Sequence, residues 1–170
     1  MKFLVWGAGA IGGTLGAHLA RAGHDVTFVD RAPEHVAAIN TAGLRIEGPI
    51  AQFVARTPAF APDQLRGEFE HVILAVKAQD TEAATRELAP HLEKNGYVVS
   101  AQNGLNELVI KAIVGDARTI GCFESEISDS SSWSRRAVAV MKPSTWRARI
   151  ASKSTRSRSG ALSVLAISEV

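Results

Sequence analysis

The chain has 170 residues, of which 46% are hydrophobic and 21% charged, with one cysteine and a formal net charge of +2. That length suits one domain with an appendage and a sizeable core. The single cysteine excludes an internal disulfide and a cysteine-rich metal site, no apolar run approaches the ~18 residues of a membrane span, and the near-neutral charge points to no polyanionic partner.

The first element is an apolar run, Lys2–Trp6, suited to a buried strand. It begins directly after Met1, which leaves no room for a signal peptide, so the expected location is cytoplasmic. Gly7, Gly9 and Gly12 follow at the G-x-G-x-x-G spacing. In a dinucleotide-binding turn the first glycine allows the tight turn off the strand. The second lets a pyrophosphate approach the backbone, and the third lets the next helix pack closely on the sheet. The helix that follows offers unpaired N–H groups and a partial positive charge to phosphates. Ile11, Leu15 and Leu19 recur on one helical face and predict the side that meets the core. Gly23 stands where a C-terminal cap glycine is expected. Val26–Val29 reads as a second strand, closed by Asp30 and Arg31 near the ~20-residue offset at which a side chain reaches the adenine ribose. A carboxylate there accepts from a free 2′-hydroxyl, whereas a guanidinium matches a 2′-phosphate. With the two adjacent, the side chain that points inward decides.

Pro33–Ala42 reads as a helix with Val36, Ala37 and Ile39 to bury and Gly43 to cap it. Leu44–Ile46 and Gln52–Ala55 read as short strands around a Gly48-Pro49 turn, and residues 58–67 as a loop. His71–Val76 is a nearly continuous apolar run of the kind buried on both faces of a parallel sheet, and Lys77 ends it. Thr81–Leu92 reads as a helix with Asp80 or Thr81 as N-cap, Tyr97–Ala101 as a strand ended by Gln102-Asn103-Gly104. Leu105–Val114 reads as a helix burying Leu105, Leu108, Val109 and Ile113, and Thr119–Phe123 as a last strand holding a buried Cys122. Helices alternating with apolar strands predict an α/β fold with a mostly parallel sheet covered on both faces. Ligands bind such sheets outside the carboxyl ends of the strands, where the glycine turn, Asp30, Arg31, Lys77 and Asn103 fall. The five histidines, His18, His24, His35, His71 and His91, show no metal-ligand spacing.

The composition breaks near residue 123. Residues 1–123 carry a net charge of −2 and one serine, Ser100; residues 124–170 carry a net charge of +4 and 13 serines. This marks a domain of residues 1–123 and an atypical Ser/Arg-rich segment of residues 124–170. Within the segment, Ala137–Met141 reads as a strand and Ala161–Ile167 as a short apolar element. Out-of-frame translation downstream of codon 124 accounts for the break. A disordered tail and a basic extension for nucleic acid are the alternatives, the last disfavoured because no aromatic-rich binding fold accompanies the charge.

Three blocks, GAGAIGGTLGAHLARAGHDVTFVDR, VILAVKAQDTEAA and SAQNGLNE, in this order and spacing, resemble the N-terminal domain of the ketopantoate reductase (2-dehydropantoate 2-reductase) family over about residues 1–123. The resemblance implies a Rossmann-like domain, NADPH as cofactor ahead of NAD, and reduction of 2-dehydropantoate to pantoate on the way to pantothenate and coenzyme A. It implies that Gly7, Ala8, Gly9, Ala10, Ile11 and Gly12 hold the pyrophosphate and that Arg31 meets the 2′-phosphate. Lys77 would lie along the cofactor toward the nicotinamide, and Asn103 would touch both cofactor and the 2-oxoacid substrate. The family's general-acid lysine lies in a helical second domain, and no motif for it is found in residues 124–170. The expected chain is therefore truncated, with no catalytic residue retained. Homo-oligomerisation, a reductase of another 2-oxoacid and an inactive dinucleotide-binding fragment remain open.

Overall fold

The computed structural model describes residues 1–48, 51–127 and 135–141. In chain order the elements are β1 (Lys2–Trp6), α1 (Ala10–Arg21), β2 (Asp25–Val29), α2 (Pro33–Ala42), β3 (Leu44–Glu47), β4 (Gln52–Ala55), β5 (Ala59–Phe60), β6 (Phe69–Leu74), α3 (Thr81–Leu88), β7 (Leu92–Ser100), α4 (Glu107–Val114), β8 (Thr119–Ile127) and β9 (Arg135–Met141). Seven strands form one sheet in the order β5-β2-β1-β6-β7-β8-β9. All neighbours are parallel except β8 and β9, which pair antiparallel from Gly121↔Met141 to Ile127↔Arg135. The β3–β4 hairpin is a separate two-stranded sheet, lying against α1 through His18 and Arg21 on the Phe53 ring.

Alternation along β1 divides the core into two layers, because successive strand side chains point to opposite faces. Leu4 and Trp6 pack with Val72, Leu74, Leu88, Val98 and Ile110 under α3 and α4. Phe3 and Val5 pack with Val26, Phe28, Val36 and Ile39 under α1 and α2. Helices on both faces of a parallel sheet make this a Rossmann-like α/β fold.

Several expectations are corrected. The expected apolar face of α1 is met in part: Leu15 and Leu19 pack, partly buried, against the core, whereas Ile11 is 40% exposed and the fully buried positions are Gly12, Gly13, Gly16 and Ala17. A Cβ on Gly16 would sit 2.5 Å from the Phe28 ring, so the helix approaches the sheet too closely for a larger residue. In α2, Ala37 faces solvent while Val36 and Ile39 are buried. Residues 58–67 are not wholly loop, since β5 extends the sheet edge; Asn40 brackets it by donating to the Ala59 carbonyl and accepting from the Ala59 N–H. The third helix stops at Leu88, and a short 3-10 turn, Ala89–His91, contains Pro90, which cannot continue the α-helical hydrogen bonding. In α4 the buried side chains are Ile110 and Val114, with Ile113 partly buried against the core as expected; Leu108 and Val109 are exposed, as is Leu105 ahead of the helix. Cys122 is half-buried. Ala161–Ile167 lies outside the described residues.

Candidate functional site

A cleft of about 280 Å³ opens at the carboxyl ends of β1, β2 and β6. This is where the strand order departs in opposite directions from β1, the position at which ligands bind in open α/β sheets. Its walls include Gly7 and Gly9 of the glycine turn, Asp30 and Arg31 after β2, and Val76, Lys77 and Asp80 after β6.

The glycine turn is held by contacts that only hydrogen allows. Gly7 has φ +100°, and its Cβ would press on the Ala75 carbonyl at 2.9 Å, while its N–H donates to the Val29 carbonyl at 2.8 Å. A Cβ on Gly12 would collide with the Gly7 carbonyl oxygen. Gly9 is different: a Cβ there would meet nothing within 4 Å. The space over Gly9 lies at the start of α1, where Gly9 is the N-cap, no side chain caps the helix and no acidic residue occupies the first turn. Unpaired first-turn N–H groups together with the helix dipole favour an anion at this spot. The residues present thus fit a dinucleotide phosphate group.

Asp30 points inward and is already engaged. Its Oδ2 accepts from the Ala8 N–H at 2.9 Å and its Oδ1 from the Ala32 N–H at 3.0 Å. The carboxylate therefore ties the glycine turn to the start of α2. Arg31 lies on the rim, 73% exposed, and its Nη1 donates to Asp80 Oδ1 at 2.8 Å. Lys77 is exposed on the cleft wall, and its carbonyl accepts from the Asp80 N–H.

Behind Lys77 a buried polar network joins two loops. Gln102 Nε2 donates to the Val76 carbonyl and to Thr81 Oγ1, both at 2.8 Å. Asn106 Nδ2 donates to the Asn103 carbonyl at 2.8 Å. The loop after β7 is thereby clasped to the loop after β6.

Of the residues singled out in the sequence, Gly7, Gly9, Arg31 and Lys77 share the cleft. Ala8 is buried beneath it, and Ala10 and Ile11 are exposed at the start of α1. Gly12 supports the turn from below. Asn103 is exposed on its loop and is not part of the cleft wall. Sequence reasoning missed Asp80 as Arg31's partner, 49 positions away, and Gln102 as the clasp. No local pattern announces either pairing, although Gln102 sits inside a block that the resemblance drew on.

A glycine turn, an uncapped helix start and a basic residue after the second strand, gathered at the switch point of a parallel sheet, define a Rossmann-like domain of the dinucleotide-binding type. The family model of Ketopantoate reductase PanE/ApbA matches residues 3–131, and the chain belongs to that family. It is 39% identical over 110 residues to 2-dehydropantoate 2-reductase of Pyrococcus abyssi, covering 62% of this chain and 34% of the relative. Among solved structures, a PanE/ApbA family ketopantoate reductase from Ralstonia eutropha superposes with a TM-score of 0.68 at 32% identity, over 76% of this chain and 43% of the other. D-mandelate dehydrogenase with NADH and anilino(oxo)acetate gives a TM-score of 0.69 at 25% identity, over 75% and 42%. The chain thus spans about a third of the length of the curated relatives it matches. Among the described residues, no helix is long and apolar enough to cross a membrane.

Proposed function

We propose that this chain is the cofactor-binding part of an NADPH-dependent reductase that converts 2-dehydropantoate to pantoate in the cytoplasm, within pantothenate and coenzyme A biosynthesis. The observation that carries the reading is the open space over Gly9 at the uncapped start of α1, with Arg31 and Lys77 on the walls of the same cleft. Backbone N–H groups of the Gly7–Gly12 turn would hold the pyrophosphate. Arg31 would take the 2′-phosphate; the engagement of both Asp30 oxygens by backbone donors leaves it as the cleft's ribose-side charge with its guanidinium on the rim. Lys77 would lie toward the nicotinamide end, and Asn103 would meet cofactor and substrate once the substrate is seated.

When bound, the cofactor supplies the hydride. This chain's residues orient it: the glycine turn fixes the phosphates, and the Gln102 clasp keeps the Lys77 and Asn103 loops together. Ketone reduction also needs a positioned acid for the carbonyl oxygen, a contribution of ~10²–10⁴ in rate. No residue of the cleft wall is assigned that role, and residues 1–123 are proposed as the binding unit, distinct from the Ser/Arg-rich residues 124–170. A reductase of another 2-oxoacid is the second reading, favoured by the likeness to D-mandelate dehydrogenase.

Calorimetric titration with NADPH and NADH, followed by NADPH consumption with added 2-dehydropantoate, tests the proposal. Binding of NADPH is expected. Absence of binding by either dinucleotide refutes the reading, and consumption with mandelate's 2-oxoacid but not with 2-dehydropantoate selects the second.

A further inference from the structure

We infer that Asp80 sets the cofactor selectivity of the cleft, weakening NADPH relative to NADH by holding the guanidinium that a 2′-phosphate requires. The inference rests on the reading that the cleft takes a nicotinamide dinucleotide with Arg31 on the phosphate side.

The Arg31–Asp80 ion pair, at 2.8 Å, joins the loop after β2 to the loop after β6, and both residues belong to the cleft wall. The choice between the two cofactors turns on one group: a 2′-phosphate is a dianion, whereas a 2′-hydroxyl is neutral. A phosphate must draw on Arg31's charge, and here that charge is balanced by Asp80. The cleft wall carries two cations, Arg31 and Lys77, against three carboxylates, Asp30, Asp80 and Glu87. Asp30 cannot release Arg31 by taking over the role of Asp80, because its oxygens face the Ala8 and Ala32 N–H groups. NADH makes no such demand on Arg31. Asp80 therefore acts on one cofactor and not the other, which a merely structural residue does not do.

Exposure limits the size of the effect. Arg31 is 73% exposed and Asp80 24%, so the pair is screened by solvent and salt. Exposed pairs of this kind correspond to at most about a fivefold change in an equilibrium. Asp80 is the N-cap residue of α3, with no side-chain capping bond. Asparagine is as good an N-cap as aspartate, so Asp80→Asn removes the charge while keeping the helix start.

The test is calorimetric titration of the full chain with NADPH and with NADH for the wild type, Asp80→Asn, Arg31→Ala and the double variant. The NADPH-to-NADH affinity ratio is expected to rise up to about fivefold in Asp80→Asn at low salt, and less at high salt. In the Arg31→Ala background the same change is expected to leave the ratio where Arg31→Ala put it. A ratio that does not move in Asp80→Asn, or moves toward NADH, overturns the inference while dinucleotide binding stands. An equal gain in the Arg31→Ala background also overturns it, since Asp80 would then not act through Arg31. If the wild type binds neither cofactor, the dinucleotide reading fails and this inference falls with it.

Discussion

Gly9 and Gly12 stand three residues apart in one motif, yet alanine at each is expected to fail for opposite reasons. At Gly9 a Cβ meets nothing within 4 Å, and the backbone at φ −68°, ψ −163° is ordinary for any residue. Alanine is a poorer N-cap than glycine by up to ~1 kcal/mol, so Gly9→Ala stays folded. The methyl group does occupy the space in which a phosphate would sit. Displacing the ligand or the turn at a cost of ~1–3 kcal/mol corresponds to roughly 5–150-fold weaker binding. At Gly12 the methyl group collides with the Gly7 carbonyl oxygen and would stand 2.9 Å from Ala75 Cβ. Overpacking costs ~1–3 kcal/mol, and the Cβ against a backbone carbonyl places Gly12 at the upper end. Better helix propensity offsets up to ~1 kcal/mol, leaving a net loss of ~2 kcal/mol. At ~2–4 °C per kcal/mol for a chain of this size, Tm falls by roughly 4–8 °C. The assay is a thermal melt of each variant beside calorimetric titration with NADPH. Gly9→Ala should lose affinity with little change in Tm, and Gly12→Ala should lose Tm. Equal losses of Tm in both variants, or full affinity in a folded Gly9→Ala, would refute the assignment of open space over Gly9 to the ligand.

Arg31→Ala should weaken NADPH by at least ~10-fold, because a hydrogen bond to a charged group contributes ~1.5–3 kcal/mol. NADH should lose much less, and an unaltered preference measured by paired titrations would remove Arg31 from the phosphate site. Gln102→Ala leaves the Val76 carbonyl and Thr81 hydroxyl without the donor they share; the expected cost is ~1–3 kcal/mol, read as a lower urea midpoint, with faster hydrogen exchange in the loops after β6 and β7. Burial, and secondarily the Glu70 carboxylate, raise the Tyr97 phenol above its ordinary value of 10.0. The folded state thus retains a proton that the unfolded chain releases. This contribution to stability is full below about pH 10 and is lost as pH rises from there through the folded-state pKa. Urea midpoints measured from pH 8 to 11 should fall less steeply in Tyr97→Phe than in the wild type; parallel curves would contradict the assignment.

The strands and the glycine turn were legible because their signals are local. The run Lys2–Trp6 and the helix Pro33–Ala42 have the expected bounds, since an apolar run or a proline-to-glycine span carries its own punctuation. Helix faces were less legible. In α4, Glu107–Val114, apolar residues surround much of the helix, so periodicity does not choose among faces, and the sheet selected Ile110 and Val114 over Leu108 and Val109. In α1 the apolar spacing named Leu15 and Leu19, which pack on the core, but also Ile11, which is exposed; the closest approach to the sheet is made by Gly16 against Phe28. A two-residue strand such as Ala59–Phe60 has no period to detect; it exists because β2 and the Asn40 amide lie beside it.

The candidate site divides in the same way. The residues that build an anion-binding helix start lie next to one another in the chain, and the chemistry of glycine is enough to read them. How the cleft is charged was decided by tertiary structure alone. Asp30 and Arg31 are adjacent, but their roles follow from which donors and carboxylates the fold sets against each: backbone N–H groups for Asp30, Asp80 for Arg31. Local sequence specifies backbone conformation through steric and hydrogen-bonding rules that act over a few residues. Electrostatic pairing depends on distances in space, and here those are set by two loops that meet only after β1, β2 and β6 have joined in one sheet.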